Sequence, residues 1–444
     1  MSETVAEKTV RKKDRLTKAE KSWIFYDWAN SVYATNIMAA IFPIYFATIC
    51  ATGDTVWAFG SALSTMIVAL CAPLLGAIGD YKGMKKKLFC IFLFIGTFFT
   101  LTMAIFNQWQ LVIVGYIISY IGFSGANLFY DSFLTDVTTK EKMDKVSTYG
   151  FAMGYIGGST IAFLLSLGIM LALGLEKNLA LGVKISVVIT TVWWAVFSIP
   201  LLKNVKQEHY VETPKNQLAI QTLKNMLHTA KTIMKNKGIF FFMLAYFFYI
   251  DGVNTVIRMA TAYGTTLGLD MIGMILALLV TQLVAIPCSI LFSYLAKKFG
   301  SMRMIFSAVV IYMLICIVGF YMGYSVEAAP SDNADLYAAA IDKAQVLFWI
   351  MAVLVGTVQG GIQALSRSYY GKLIPPERSN EFFGFYDIFG KFAAVLGPFL
   401  YGIISSTTGS SAYGIASVSV LFMIAAIIII IGRKSIKSTE KGNA

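Results

Sequence analysis

Seven ionisable residues fall within or at the inner ends of long apolar stretches: Asp27, Asp131, Lys184, Asp251, Arg258, Asp387 and Lys391. A charge in hydrocarbon costs on the order of 3 kcal/mol or more unless it faces protein, water or a counter-charge. Each therefore has to look inward, and each is a candidate for ligand binding or proton transfer. Two of them sit in matching patterns. Asp27, Asn30 and Ser31 fall at i, i+3 and i+4 on one helical face, and Asp251, Asn254 and Thr255 repeat the same D-x-x-N-[ST]. Arg258 extends the second stripe by a turn. Its planar guanidinium stays charged and matches a carboxylate, so it is expected to grip an anionic group of a substrate near the bilayer middle. The plainer alternative is an interhelical ion pair with Asp131 or Asp27. Asp27, Asp251 and Asp131 are the expected proton-coupling carboxyls, since a carboxyl with access to one side at a time can carry a proton across. Their alternative is a gate or a helix-positioning hydrogen bond. Asn30, Tyr33, Asn127, Asn254 and Gln363 complete the expected substrate-binding set, whereas Asp387 and Lys391, at i and i+4, are expected to pair structurally.

These residues need long helices to hold them. The 444-residue chain is 57% hydrophobic and only 14% charged, against roughly 25% charged in soluble domains. It reads as an all-α integral membrane protein, because its apolar stretches are long rather than short and alternating. Twelve transmembrane helices are expected, six on each side of a polar segment. The expected division is a six-helix bundle with a basic tail over 1–202, a linker over 203–237, and a second bundle with a basic tail over 238–444. The net charge of +12 reports topology rather than nucleic-acid binding. Lys and Arg crowd the tails, the linker and alternate loops, and the opposite loops have only Lys177 and Lys343. By the positive-inside rule both termini are expected to be cytoplasmic, in a cell (inner or plasma) membrane. The basic tail running straight into a full-length span argues against a cleaved signal. The five cysteines lack zinc-ligand spacing and read as small core residues.

Local signals refine this picture. Thr17 and Glu20 form a capping-box pattern, so the first helix is expected to start near Lys18. In the linker, after Thr213 and Pro214, apolar residues recur at three- and four-residue steps among Lys224, Lys231 and Lys235. That is an amphipathic helix, lying either on the cytoplasmic leaflet or against the bundle. The halves also correspond. The loop around Asp80 matches that around Lys297 and Lys298, and Asn127, Asp131 and Asp136 line up with Gln363, Arg367 and Lys372. Parallel six-helix repeats are one recognised transporter architecture.

The loop Gly76-x-x-x-Asp80-x-x-Gly83-x-Lys85-Lys86 resembles the signature loop of the major facilitator superfamily, although Tyr81 and Met84 stand where basic residues are usual. YDWANSVYAT at 26–35 and QALSRSYYGKLIPPERSNEFFGFYDIFGKFAAVLGP at 363–398 resemble its vacuole-effluxer branch, whose fungal members export amino acids from the vacuole. The resemblance implies the major facilitator fold and a secondary active transporter. Its cargo would be a small organic solute, an amino acid or other zwitterion or organic anion, carried by alternating access with proton-coupled efflux. It also implies that Asp80, Gly83, Lys85 and Lys86 stabilise one access state. The expected partners are a small-molecule substrate, a proton as coupling ion and the lipid bilayer. No nucleic acid, metal or cofactor is called for, and a monomer is expected. The rival classes are a receptor or scaffold on a transporter fold, an intramembrane enzyme and a channel. The enzyme is weak because His209 and His228, the two histidines, lie in the linker and no catalytic or Walker motif occurs.

Overall fold

The computed structural model describes residues 15–50, 53–212, 218–330 and 332–442. Helix α1, Lys18–Tyr33, begins where the capping box placed it: the Thr17 hydroxyl accepts from the Glu20 amide at 3.1 Å and the Glu20 carboxylate accepts from the Thr17 amide at 2.6 Å. The first span does not continue as one regular helix. A π-helical turn, Ala34–Ala40, separates α1 from α2, Phe42–Ile49. Pro43, in the first turn of α2, has no N–H to give to the preceding turn. Asn36 ties the widened turn to the bundle by donating to Ser166 at 2.9 Å and Thr190 at 3.0 Å.

The spans that follow are α3 (Gly53–Gly79), α4 (Met84–Ile105) and α5 (Trp109–Ser132), with the short α6 (Leu134–Val137). Helix α7 (Met143–Ile156) runs through a second π-helical turn, Gly157–Ala162, into α8 (Phe163–Leu173), and α9 (Leu175–Asn204) ends the first six spans. The linker contains α10, Leu218–Lys235; its expected cap at Thr213 and Pro214 lies outside the described residues. Then come α11 (Lys237–Thr266), α12 (Met271–Phe299), α13 (Ser301–Glu327) and α14 (Ala334–Leu373). The eleventh span is again divided, into α15 (Ser379–Phe392) and α16 (Leu396–Thr408), and α17 (Ser411–Gly442) closes the fold. Eleven described segments are long and apolar enough to cross a membrane. The first of the twelve expected spans is the interrupted α1–α2.

Contacts at one face fix the sidedness of the bundle. Glu20 accepts from Thr138, Asn204 donates to Ser22, and Thr439 near the C-terminus donates to Asn236 at the end of the linker. The N-terminal end, the linker, the C-terminal end and the lysine-rich loops thus share one face, called the basic face below.

The duplicated D-x-x-N-[ST] stripes pack against equivalent helices. Asp27, Ser31 and Val32 of α1 press on glycines of the fifth span, where a Cβ on Gly154 would lie 2.5 Å from Ser31 Oγ and one on Gly158 would lie 2.3 Å from the Val32 nitrogen. Asp251 and Thr255 of α11 press on the eleventh span, where a Cβ on Gly397 would lie 2.0 Å from Thr255 Oγ1. The two spans pressed on in this way, the fifth and the eleventh, are themselves interrupted, as the first is.

Candidate functional site

A buried charge cluster that ties the helices together centres on Arg367, near the C-terminal end of α14. Its Nη1 donates to Asp131 Oδ1 at 3.0 Å and its Nη2 to Asp27 Oδ2 at 3.2 Å. Nε and Nη2 also reach the Ser147 hydroxyl and carbonyl at 3.0 and 3.2 Å. The guanidinium carbon lies 4.6 Å from the Trp23 and Phe151 ring centres and 5.3 Å from that of Tyr130. An arginine suits this place because its fixed fork serves several acceptors while its faces stack on aromatics. It joins a helix of the second six spans to three helices of the first six.

Beside it lies a cavity of about 260 Å³ lined by Asp131, Arg367, Asp387, Lys391, Asn254 and Gln363, with Tyr246, Tyr386 and Phe151 among its walls. Two acids and two bases line it as two ion pairs, so the lining is close to neutral overall. Lys391 pairs with Asp387 Oδ1, as their spacing suggested. Asp387 Oδ2 is buried with no hydrogen-bond partner among the described residues, which leaves an acceptor open to a ligand ammonium or water.

Several expected site residues lie elsewhere. Arg258 is exposed, makes no ion pair among the described residues and does not line this cavity. The intramembrane cation that meets Asp27 and Asp131 is Arg367. Tyr33 is fully buried, accepts from Ser119 at 3.0 Å and stacks on Phe123, so it belongs to the packed core rather than to the cavity wall. Lys184 donates to Asn107 in an exposed contact. Asn30 donates to Asn127 at 2.8 Å, joining the first and fourth spans. Asp251 is buried and accepts from the Gly397 amide at 3.0 Å, and its Oδ2 has no hydrogen-bond partner among the described residues. It therefore sits at the free N-terminus of the half-helix α16, where unpaired amides and the helix dipole favour a carboxylate.

At the basic face two further clusters close the bundle. Asp80 Oδ1 accepts from the Asn380 backbone and side chain at 2.9 and 2.8 Å, and Oδ2 accepts from the Glu381 amide at 3.0 Å. It caps α15 from across the seam between the two sets of helices. Gly83 has φ +74°, the left-handed conformation that glycine adopts without steric cost, and it turns the chain so that α4 can start. Lys85 then reaches Asp136 at 2.6 Å and Ser379 at 2.9 Å, while Lys86 donates to the Val205 carbonyl at 2.9 Å. The second cluster centres on Asp144 of α7, which accepts from Lys372 at 2.5 Å, Ser301 at 2.6 Å and Ser368 at 2.6 Å.

The linker straps the first cluster. Val211 N donates to the Asp80 carbonyl at 2.8 Å, Gln207 donates to the Gly79 carbonyl at 3.2 Å, and the His209 amide donates to Asp136 at 2.9 Å. Burial pushes the Asp80 carboxyl up to about 7, against the opposing pull of Lys85 and its three hydrogen bonds. The hydrogen bond to Asp136 raises the His209 imidazole above its ordinary value.

Sequence reasoning paired Arg367 with Asp131 by repeat position but left it among the loop bases. It did not single out Asp144, Ser147 or Asn380. The signal for Arg367 was that alignment: an arginine exactly opposite a buried aspartate in the other half.

A bundle of spanning helices, closed at one face by contacts across its two halves and holding a charged cavity between them, defines a membrane transporter of the major facilitator kind. Solved structures share the fold. A bacterial homologue of the iron transporter ferroportin in an outward-facing state matches with TM-score 0.64 at 13% identity, over 94% of this chain and 98% of that one. The proton:xylose symporter XylE matches with TM-score 0.65 at 13% identity, over 93% and 94%. The family model described as "Vacuole effluxer Atg22 like" matches residues 54–142 and 135–440. The chain is 41% identical over 427 residues to an uncharacterized MFS-type transporter, YxiO, of Bacillus subtilis (strain 168), covering 94% of this chain and 95% of that one. Autophagy-related protein 22 of Cryptococcus neoformans var. neoformans serotype D (strain JEC21) is 25% identical, over 68% of this chain and 51% of its own length. The chain thus spans about half of that fungal relative. It belongs to the vacuole effluxer Atg22-like family. It is a multi-pass transporter, and its relatives are transporters rather than enzymes.

Proposed function

We propose that the protein is a secondary active transporter that exports a small zwitterion or organic anion, an amino acid being the leading candidate, by proton-coupled alternating access. In this reading the basic face is cytoplasmic, the protein works as a monomer in the cell membrane, and the clusters at Asp80 and Asp144 are the inner gate. The observation that carries the reading is the cavity between the halves with its facing acid and base pairs. A zwitterion presents one charge of each sign, so it can exchange partners with Asp387 and Lys391 without leaving a net charge buried. Asn254 and Gln363 supply neutral hydrogen bonds beside them.

Proton coupling is assigned to Asp131 with Asp27. One guanidinium faces two carboxylates, so the trio carries one negative charge in excess unless a proton or a cationic group balances it. Asp131 is the carboxylate that opens on the cavity, with 30% of its side chain exposed, so it is the natural entry point for the proton. In proteoliposomes carrying a pH gradient, Asp131→Asn is expected to lower substrate accumulation about tenfold or more while leaving counterflow exchange in place. Thermal-shift screening of the purified protein against amino acids, sugars and organic acids identifies the substrate first, because a ligand that binds the folded state raises the midpoint. Accumulation equal to that of the parent protein would reject Asp131 as the coupling group. Stabilisation by sugars alone would reject the zwitterion.

A further inference from the structure

The linker helix α10 presents three different faces. At about 100° per residue, Leu223, Leu227 and Met234 fall within roughly 40° of one another, and they are 50%, 58% and 71% exposed. Lys231, Lys224 and Lys235 occupy the neighbouring sector of about 40°, and all three are exposed. Thr222, Thr229 and Ile233 form a third face, turned away from the first two and buried against the bundle. There the Thr222 hydroxyl meets Tyr81 Oη at 3.1 Å and Arg378 reaches Thr229 at 3.4 Å. The side that packs on protein is therefore not the strongly apolar one.

We infer that α10 lies in the headgroup region of the leaflet on the basic face, with Leu223, Leu227 and Met234 in the acyl boundary and its lysines on anionic lipid phosphates. Three observations converge on this occupant. The segment 218–235 contains no aspartate or glutamate, so its charge complements an anionic surface and nothing else on the helix. Its C-terminus is separated by Asn236 alone from the spanning helix α11, which holds that end at the membrane boundary. The lysines flank the apolar face on the side away from the bundle, from where long stems run over apolar surface while the ammonium groups reach the headgroups. The buried face meanwhile stays bonded to the ends of α3 and α15, so the lipid surface and the gate share one helix.

The test uses the full chain with its five cysteines replaced by alanine, reconstituted in nanodiscs of phosphatidylcholine with or without phosphatidylglycerol. Leu227→Cys and Gln221→Cys, the latter on the water side of the helix, are each labelled with an environment-sensitive nitrobenzoxadiazole. Acyl chains brominated near the carbonyl end are expected to quench the label at 227 about twofold or more and to leave the label at 221 nearly unchanged. Quenching at 227 is expected to fall when phosphatidylglycerol is omitted, and to lose that dependence when Lys224, Lys231 and Lys235 are all changed to Gln. Equal quenching at both positions would overturn the inference. So would a label at 227 that is shielded from water but not quenched, the result expected if a second copy or another protein covers the face. Quenching indifferent to phosphatidylglycerol would remove the anionic lipid from it.

Discussion

Arg367→Met is expected to be the most damaging single substitution in the bundle, lowering both the unfolding midpoint and transport. Methionine keeps much of the stem volume but removes four donated hydrogen bonds: two to Ser147 and one each to Asp27 and Asp131. Asp27 then keeps a buried carboxylate with no cation beside it. Breaking a buried pair by deleting one partner typically costs about 3–5 kcal/mol, mostly as the penalty of the charge left behind. The diagnostic variant is therefore the double one. Asp27→Asn combined with Arg367→Met neutralises the more buried of the two stranded carboxylates, Asp131 being the one that opens on the cavity, and is expected to recover more than half of the lost stability, with an interaction energy in the cycle of about 1–3 kcal/mol. Arg367→Lys is expected to fall between, because a single ammonium cannot bridge Asp27, Asp131 and Ser147 together. Unfolding midpoints in one detergent, read alongside proteoliposome flux, check all three. If Arg367→Met matched the parent midpoint, the trio would not hold the two halves together.

The fold was legible because its causes are local and repetitive. Long apolar runs, the Thr17–Glu20 box and the alternation of lysine-rich loops each act over a few residues, and the structure keeps all of them. The breaks in the first, fifth and eleventh spans were less visible. Pro43 gives a cause for the first, but the residue that meets the start of α16, Asp251 at the Gly397 amide, lies 146 positions away. The site was half legible for the same reason. Asp27, Asp131, Asn254, Gln363, Asp387 and Lys391 announced themselves by being polar in apolar surroundings. Arg258 made the same announcement and lies outside the cavity, since helical spacing fixes the face of a residue but not its depth or the neighbour it meets. Arg367 hid near the end of its span, where a positive charge is expected on topological grounds alone. Only its alignment with Asp131 across the repeat pointed inward. Asp80 illustrates the converse: the loop motif marked the residue, but its partner is the N-terminus of α15, set by a helix crossing that no spacing encodes.

That crossing supplies the second large effect. Gly76→Val is expected to drive the bundle out of the state in which the basic face is closed. A Cβ at Gly76 would lie 2.3 Å from the Asn380 carbonyl oxygen, 2.8 Å from its carbon and 2.9 Å from Glu381 Cα. All three are backbone atoms, so no rotamer change relieves the clash, and α3 and α15 have to separate. Gly384 makes the reciprocal approach to the Ala72 carbonyl, where a Cβ would lie 2.6 Å away. The strain exists only while the seam is shut, so it acts as a bias between states; inverting a 99:1 population takes about 5.5 kcal/mol. Protons act on the same seam with the opposite sign. Asp80 faces Lys85, Asn380 and Glu381 in the closed state and is pushed up to about 7 from an ordinary 3.8, so the closed state binds its proton more tightly than an open, hydrated one. Its proton-linked preference for closure is complete below the ordinary value and is lost as pH rises through about 7. His209, raised by Asp136, adds in the same direction: its protonated form holds the strap, and the contribution fades as pH rises through its raised value. Spin labels at Lys87→Cys and Glu377→Cys, one on each side of the seam, report the distance in a background without native cysteines. The short-distance population is expected to grow between about pH 8 and about pH 6, and much of that growth is expected to vanish in Asp80→Asn. Gly76→Val is expected to give the long distance at both pH values. A short distance retained in Gly76→Val would show that α3 and α15 are not the surfaces that part when the basic face opens.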